Sequence, residues 1–440
     1  MYYKLKRMFT LQIKNIQLLL LVSFFSLSTQ ITVAQHSIES RVQRPNIILI
    51  MADDLGYEAL QCNGGKSYNT PYLDRMAAEG VRFSHCYSLP LCTPSRVQLM
   101  TGRYGFRNYK KFGVLDINER TFGNLFRDNG YSTCIVGKWQ LGGDESTPKH
   151  FGFDEYLLWQ LFTKDMGSRY RNPKLVENGL VKEYANNEYG PDLICEFATD
   201  FISRNRDKPF FLYYPMILTH DPFQPVSGGR DFESASSKVS DTTYFKDMVT
   251  HMDNIVGKII DKINKLDLAE KTIIIFTGDN GTSRRIYSSF QSSVIKGNKG
   301  YPTSAGTHVP LIVGWKGHIA SQTNENLVDF TDFYITLAEA AGIQDDKVKV
   351  LDGISFLGQI LNKENAPIRK VVFGDYNGND KGFTHSRYAH NKSLKVYETG
   401  EIFQIDVDAE EKHRLSEQNL SQDSKRIAAE LKAVIAKMHQ

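Results

Sequence analysis

The sequence predicts an α/β fold, a sandwich around a mostly parallel central sheet with a smaller antiparallel-sheet unit at the C-terminus. Continuous apolar runs recur along the chain, as at residues 46–51 and 272–276, and helical patterns such as residues 241–266 lie between them. This alternation is typical of a parallel sheet covered on both faces. From about residue 345 the pattern changes to short strand candidates separated by turn residues, which is typical of a small antiparallel sheet.

Each predicted element has a local signal. Residues 46–51 are apolar throughout, as in a strand that is buried on both faces. Pro71 is suited to the first position of a helix, and Gly80 to its end. The same signals predict strands at 133–136, 209–215, 272–276 and 309–313, and helices at 94–102, 121–128 and 241–266. In the C-terminal part they predict strands at 371–376, 387–388, 393–397 and 402–405, and a helix from 421.

Length and charge restrict the class of protein. A chain of 440 residues exceeds what one hydrophobic core usually organises, so we predict a large α/β domain over residues 45–344 and a smaller one over 345–440. A formal net charge of +3 is too small to indicate nucleic acid or an anionic membrane surface as a partner. Any binding of anions must therefore be local.

The first 34 residues have the pattern of a secretory signal peptide. Basic residues precede an apolar run at 16–25, and the segment ends at Thr32-Val33-Ala34. The alternative is a membrane anchor, but the run is too short to span a bilayer. We therefore expect an exported protein, periplasmic or secreted, with no membrane span after signal cleavage.

An exported chain with five cysteines leaves at least one of them unpaired. Their spacing indicates neither a disulfide framework nor a zinc site. Cys92, in the stretch LCTPSR ahead of the predicted helix 94–102, either packs a loop or is the reactive atom of the protein.

Oxygen-bearing side chains follow two of the predicted strands. Asp53 and Asp54 come directly after the first strand, and Asp279 and Asn280 directly after residues 272–276 and a Thr-Gly pair. Either pair alone is a common turn or helix cap. Sites in parallel α/β folds collect at the carboxyl ends of strands, so both pairs together indicate a metal site. Such a set of oxygen ligands suits Ca²⁺ or Mg²⁺ and not zinc.

Cationic and titratable residues complete the candidate set. Cys92 would lie where the N–H groups and dipole of a helix favour anions, and Arg96 is close to it in sequence. Lys138, His220 and Lys299 occupy predicted loops, where a single lysine is usually a solvated charge and a single histidine a satisfied polar residue.

Taken together, these motifs resemble the sulfatase family, the formylglycine-dependent, cysteine-type enzymes of the alkaline-phosphatase superfamily. The resemblance is carried by CTPSR, the Asp-Asp pair, GKWQLG, GDNG and a lysine ahead of GTHVP, and it runs from Asn46 to the end of the chain. It implies an alkaline-phosphatase-like sandwich, with residues 45–344 as the catalytic domain.

The resemblance also implies how such an enzyme works. In that family a maturation enzyme oxidises the motif cysteine to formylglycine, so Cys92 would be the precursor of the nucleophile. The aldehyde hydrates to a geminal diol, of which one hydroxyl attacks the sulfur and the other then releases sulfate. A serine would instead leave a sulfate ester that needs a second attack at sulfur.

Roles for single residues follow from the resemblance alone. It makes Arg96 the support of the diol, Lys138 and Lys299 the clamp on the sulfate oxygens, and His220, assisted by Lys299, the acid for the leaving alcohol. The implied ligands of one Ca²⁺ per chain are Asp53, Asp54, Asp279 and Asn280.

Two positions depart from the family pattern. The family usually has histidine where this chain has Gln140, which can donate a hydrogen bond but cannot titrate. Residues 304–310, SAGTHVP, replace the usual E-G-G-x-R-x-P, and we interpret this as a change outside the groups that touch the substrate.

The sequence therefore predicts an exported, calcium-dependent sulfatase acting on sulfated carbohydrates or other sulfate esters. One alternative is a phosphoesterase or phosphonate monoester hydrolase, for which histidine would be favoured at position 280; Asn280 favours a single calcium. The other is a catalytically silent glycan-binding relative, favoured if Gln140 abolishes turnover or Cys92 is never converted. Trp159 and the loop 166–171 lie where such enzymes build substrate contacts, but the sequence gives them no role.

Overall fold

The structure, a computed structural model, describes residues 44–236, 238–347 and 350–438. The predicted signal peptide lies outside the described residues. Within those ranges, no helix has the length and apolar character that crossing a bilayer requires.

The strands and helices alternate over most of the chain. The strands are β1 Asn46–Ala52, β2 Val81–Tyr87, β3 Ser132–Lys138, β4 Glu155–Trp159, β5 Lys174–Glu177, β6 Leu180–Glu183, β7 Phe210–Pro215, β8 Thr272–Gly278, β9 Tyr287–Phe290, β10 Ser293–Lys296, β11 His308–Gly314, β12 Gln322–Asp329, β13 Val372–Tyr376, β14 Ser386–His390, β15 Leu394–Tyr397 and β16 Ile402–Gln404. The helices are α1 Pro71–Glu79, α2 Cys92–Thr101, α3 Gly105–Asn108, α4 Phe122–Asp128, α5 Thr147–His150, α6 Gly190–Arg204, α7 Phe245–Lys265, α8 Ser304–Thr307, α9 Asp332–Ala340, α10 Leu357–Ile360 and α11 Gln422–Lys437.

A large sheet organises the described residues. Its ten strands run in the order β12-β2-β11-β8-β1-β7-β3-β4-β5-β6. The central strands β8, β1, β7, β3 and β4 are parallel, whereas β11 is antiparallel to both of its neighbours and β5 and β6 are antiparallel at one edge. Strands β13 to β16 form a separate antiparallel sheet, and β9 and β10 form a hairpin. The predicted fold class is therefore confirmed.

Strand β1 shows why the central sheet is covered on both faces. All seven of its residues are buried. Ile48 and Ile50 belong to a core that includes Leu73 of α1 and Met248 of α7. Ile47, Leu49 and Met51 belong to a second core, which includes residues of α2, α4 and α9. Alternate side chains thus enter opposite layers, as in a sandwich of helices around a parallel sheet.

The register of two neighbouring strands places the predicted ligands together. Strands β1 and β8 are paired in parallel, with Ala52 opposite Gly278. Asp53 and Asp279, the next residue in each chain segment, therefore leave the sheet side by side. Strands β3 and β7 end at the same edge, and their ends carry Lys138 and the segment that contains His220.

The element predictions are confirmed with small shifts, except at one helix start. The helix predicted at residues 94–102 begins at Cys92, so Cys92 is its first residue and does not precede it, and Arg96 lies beyond the first turn. Pro94 is compatible with this start, because the N–H groups of a first helical turn have no partner within the helix. The domain boundary between residues 344 and 345 stays a prediction.

Candidate active site

Three carboxylates and one carboxamide form the centre of the site, and all four side chains are buried. The Asp54 backbone N–H donates to Asp279 Oδ1 at 3.0 Å, and Asn280 Nδ2 donates to Asp54 Oδ1 at 2.8 Å. Asp53 is anchored through its backbone, whose N–H donates to the Leu218 carbonyl at 2.7 Å. The structure thus brings together the four predicted ligands from the ends of β1 and β8.

The thiol of Cys92 lies against this acidic centre. Its Sγ is 3.4 Å from Asp53 Oδ1 and 3.9 Å from Asp54 Oδ1. Burial, and next to it the charge of Asp279, raises the pKa of the Cys92 thiol far above its usual range. A thiol that stays protonated is a poor nucleophile at neutral pH. As an unmodified cysteine, this residue is therefore a weak nucleophile at neutral pH.

Lys138 and Arg96 approach the carboxylates from the interior. Lys138 Nζ lies 2.9 and 2.8 Å from the two carboxylate oxygens of Asp53. Arg96 donates from Nη2 to Asp279 Oδ2 at 3.0 Å and from Nη1 to the Lys138 carbonyl at 3.0 Å. Gly137 allows this arrangement, because its φ is +114° and a Cβ there would collide with the Pro215 carbonyl oxygen.

Lys299 and His220 close the other side of the site. Lys299 Nζ is 2.7 Å from Asp54 Oδ2, and His220 Nε2 is 3.8 Å from the same oxygen. His220 Nδ1 lies 2.8 Å from a carboxylate oxygen of Asp221. Burial lowers the pKa of His220, although Asp54 opposes the shift, and the Asp54 charge holds the pKa of Lys299 well above its usual range in spite of burial. Lys299 and His220, the two groups predicted to protonate the leaving alcohol, thus both lie near the Asp54 carboxylate.

The pKa values of the Asp53 and Asp279 carboxylates are shifted in opposite directions. Burial alone would raise the pKa of Asp53, but the charges of Lys138, His220 and Arg96 together hold it well below its usual range. Burial, and then repulsion from Asp53, raises the pKa of Asp279 to about 6. An additional cation would relieve this repulsion, so the acidic centre has the electrostatics of an ion site.

The residues present fit a metal ion. Possible ligand atoms of Asp53, Asp54, Cys92 and His220 all lie within 4.8 Å of one another. Asn280 Oδ1 is buried and has no hydrogen-bond partner in the described part of the structure. A buried oxygen without a partner is costly unless something binds it. Carboxylate oxygens with a free amide oxygen are the donor set of a hard cation.

Backbone hydrogen bonds fix Gln140 close to the start of α2. Its φ is +55°, its N–H donates to the Gln160 carbonyl at 3.2 Å, and its carbonyl accepts from Thr93 Oγ1 at 3.4 Å. The side-chain oxygen is buried without a hydrogen-bond partner among the described residues. The structure therefore places Gln140 beside the start of α2 and leaves its side-chain oxygen unsatisfied.

The structure adds a residue to which the sequence gave no role. Arg169 Nη1 lies 3.4 Å from Asp53 Oδ2, and its guanidinium carbon lies 3.9 Å from the ring centroid of Trp159. The neighbouring Tyr170 hydroxyl donates to the Ile217 carbonyl at 2.9 Å and also bonds the His220 carbonyl. The loop 166–171 thus holds both a fourth cation and the histidine segment. Its stacking partner Trp159, at the end of a strand, was the signal available in the sequence.

The sequence model of the family described as Sulfatase matches residues 45–343 of the chain. The chain belongs to the sulfatase family. Sulfatases lie in the alkaline-phosphatase superfamily, and this membership makes the chain a sulfuric ester hydrolase.

Individual sulfatases are similar over most of the chain. Arylsulfatase A of Homo sapiens is 33% identical over 364 residues, which cover 75% of this chain and 70% of that protein. N-acetylgalactosamine-6-sulfatase of Mus musculus is 32% identical over 355 residues, which cover 72% of this chain and 66% of that protein. The chain thus spans about two thirds of the length of these relatives.

A solved structure is similar in fold as well as in sequence. The crystal structure of Ps i-CgsB in complex with k-i-k-neocarrahexaose superposes with a TM-score of 0.72 at 27% identity. The match covers 90% of this chain and 93% of that one.

Proposed function

We propose that this sulfatase is an exported, calcium-dependent enzyme that hydrolyses the sulfate esters of sulfated carbohydrates, with a formylglycine made from Cys92. One observation carries the proposal: the Cys92 thiol lies at a buried centre where three carboxylates meet the cations Arg96, Lys138, Arg169 and Lys299. The four cations attract an anionic ester to this centre, even though three carboxylates are also present.

The oxygen donors suit Ca²⁺ or Mg²⁺, and the resemblance to the family favours calcium as the resident ion. Asp53, Asp54, Asp279 and Asn280 would hold it, and the free Asn280 Oδ1 accounts for its only ligand that is not a carboxylate. When bound, the ion supplies positive charge that acidifies a neighbouring hydroxyl and draws in the sulfate.

The chemistry at position 92 depends on modification. The raised pKa of the Cys92 thiol makes the unmodified residue a weak nucleophile in the folded protein. The CTPSR motif around it, which resembles that of the family, is what supports conversion by a formylglycine-generating maturation enzyme. The hydrated formylglycine supplies a geminal diol as the nucleophile.

Other residues of the chain bind the ester and move the proton. Lys138 and Lys299 would hold sulfate oxygens, because both ammonium groups lie at the centre, beside Asp53 and Asp54. His220, with Asp221 on Nδ1, keeps Nε2 toward Asp54, and in its imidazolium form it would protonate the leaving alcohol from that nitrogen. Arg96 is buried and fixes Asp279, so its role is to position the centre.

The carbohydrate half of the substrate is supported by similar proteins. The Ps i-CgsB complex contains an oligosaccharide, and the second relative is by name an N-acetylgalactosamine-6-sulfatase. Export rests on the N-terminal segment at residues 1–34, whose composition is that of a signal peptide.

The test combines peptide mass with turnover. The protein is produced with a maturation enzyme, and the peptide that contains Cys92 is weighed without alkylation. We expect the mass of formylglycine, one bound calcium, and hydrolysis of 4-nitrocatechol sulfate that Cys92→Ala abolishes. Full activity with an unmodified, alkylatable thiol would overturn the mechanism. Modified protein that cleaves a phosphonate monoester and no sulfate ester would identify the alternative activity.

A further inference from the structure

A pocket of about 560 Å³ opens directly beside the site. Asp54 and Lys299 form its inner wall, so a group held in the pocket lies next to the proposed sulfate position. The outer wall comes from segments far apart in sequence: the residues after Asn280, the end of β10, and the loop after β13.

Four cations of this outer wall contact hydroxyl groups, a carbonyl or aromatic rings. Arg284 donates to the Tyr301 hydroxyl at 3.2 Å, and Arg285 donates to Ser240 Oγ and to the Ser240 carbonyl, both at 3.0 Å. The other two, Lys296 and Lys381, lie over the rings of Tyr287 and Phe112. In the described ranges, none of the four forms an ion pair.

The carboxylates that line the pocket are already engaged. Asp54 pairs with Lys299, and Asp221 pairs with His220. The wall also contains apolar surface from Leu91, Phe112 and Phe383, on which a sugar ring can pack. Scattered surface lysines would be solvated on all sides, whereas these cations converge on one concave space that ends at the site.

We propose that this pocket binds a second anionic group, a sulfate or a carboxylate, on the carbohydrate that carries the scissile ester. The preferred substrate is then a polyanionic oligosaccharide and not a singly sulfated sugar. Arg284 and Arg285 are the main determinants, because a guanidinium offers paired donors to a sulfate or carboxylate. This inference rests on the proposed function, since the inner wall of the pocket includes Lys299 of the site itself.

Binding can be measured without turnover in a Cys92→Ala background with calcium present. The probe is sucrose octasulfate, and glucose 6-sulfate is the singly charged reference. By titration calorimetry, the double variant Arg284→Gln, Arg285→Gln should weaken octasulfate binding about tenfold, as two exposed charge contacts of roughly threefold each predict. The affinity for glucose 6-sulfate should change less than twofold, because one sulfate is held by Lys138 and Lys299.

A matched control is available at the other end of the sheet. Arg75 is exposed and lies 5.8 Å over the ring of Tyr72, in a pocket lined by Thr272 at the start of β8. Arg75→Gln removes a similar stacked guanidinium and should leave the affinity for octasulfate unchanged. A conservative pair, Arg284→Lys with Arg285→Lys, should recover part of the loss, since charge is kept and the paired donors are not.

Unaltered octasulfate binding by the Gln double variant would overturn the inference. An equal loss in Arg75→Gln would also overturn it, because the effect would then be one of net charge. Hydrolysis of 4-nitrocatechol sulfate by the mature wild-type protein is measured in parallel. Its absence would count against the proposed function, while a selective loss of octasulfate binding would still support the polyanion pocket.

Discussion

Arg169 is a loop residue that contacts the candidate active site. Its guanidinium contacts both the Trp159 ring and the Asp53 carboxylate, so it shares with Lys138 the task of holding Asp53 in place. The sequence could not identify it, because its position depends on how the loop 166–171 folds back on β4. Residues directly after buried strands were predictable, since the strand fixes where they point.

We expect Arg169→Gln to lower kcat/KM for a sulfate ester by about tenfold, or roughly 1.4 kcal/mol of transition-state stabilisation. The kcat/KM of Arg169→Lys should lie between those of the wild type and Arg169→Gln, because lysine keeps the charge and loses the planar stack on Trp159. Steady-state kinetics on the mature protein measure both, with the urea midpoint as a control for folding. A wild-type kcat/KM in Arg169→Gln would show that the other contacts of Asp53 fix it without Arg169.

Gln140 tests whether a departure from the family pattern alters the chemistry. Its side-chain oxygen is buried without a partner within the described ranges, and its side chain cannot titrate. We expect Gln140→His to introduce a further ionisation into the pH profile of kcat/KM, because a histidine titrates and a glutamine does not. Gln140→Ala should lower kcat/KM at all pH values. An unchanged rate in Gln140→Ala would exclude contact of this side chain with the ester.

At the scale of elements, long continuous apolar runs were the most predictable strands. Strands β1 and β8 are continuous apolar runs and were predicted almost residue for residue. Strand β12, Gln322–Asp329, was missed because six of its eight residues are polar and it lies at an edge of the sheet, paired only with β2. Helix α6 was also missed, although Pro191 lies in its first turn.

Helix α1 is capped by a side chain of another helix. Thr70 at its N-cap makes no capping bond, and the N–H groups of Tyr72 and Leu73 instead donate to Asp253 of α7 at 3.0 and 2.9 Å. We expect Asp253→Ala to lower the free energy of unfolding by about 3 kcal/mol, since two buried N–H groups lose a carboxylate. Asp253→Asn keeps one acceptor and should lose less. Urea unfolding at pH 7.5 measures both, and equal losses would contradict the cap.

At the scale of the molecule, the C-terminal sheet is part of the site's surroundings. The loop after β13 supplies Lys381 and Phe383 to the pocket, and Phe383 contacts Tyr301 with ring centroids 5.4 Å apart. Such a wall combines segments some hundred residues apart, so only the three-dimensional structure reveals it. The sequence predicted the small sheet as an element but not its contribution to substrate binding.

The contact between the two sheets includes a buried histidine that should make stability depend on pH. His390 of β14 is 1% exposed, and its ring lies 4.3 Å from that of Tyr87 on β2. Burial, and next to it the charge of Lys395, lowers the pKa of His390 to about 3. The unfolded chain binds a proton there below pH 6.5, while the folded chain does not until near pH 3. As the pH is lowered from 6.5 toward 3, the free energy of unfolding therefore falls by about 1.4 kcal/mol per pH unit. Above pH 6.5 this histidine costs the folded protein no stability.

His390→Phe removes this titration and keeps an aromatic ring in the same space. We expect the variant to lose stability at pH 7.5, because the hydrogen bond between His390 Nδ1 and the Asn391 carbonyl at 2.8 Å is gone. At pH 5 the gap to the wild type should narrow by about 2 kcal/mol, since only the wild type then carries the cost of a neutral buried imidazole. Urea unfolding at both pH values gives this double difference. A gap that stays constant would mean that His390 is protonated in the folded protein, and that the contact between the sheets admits charge.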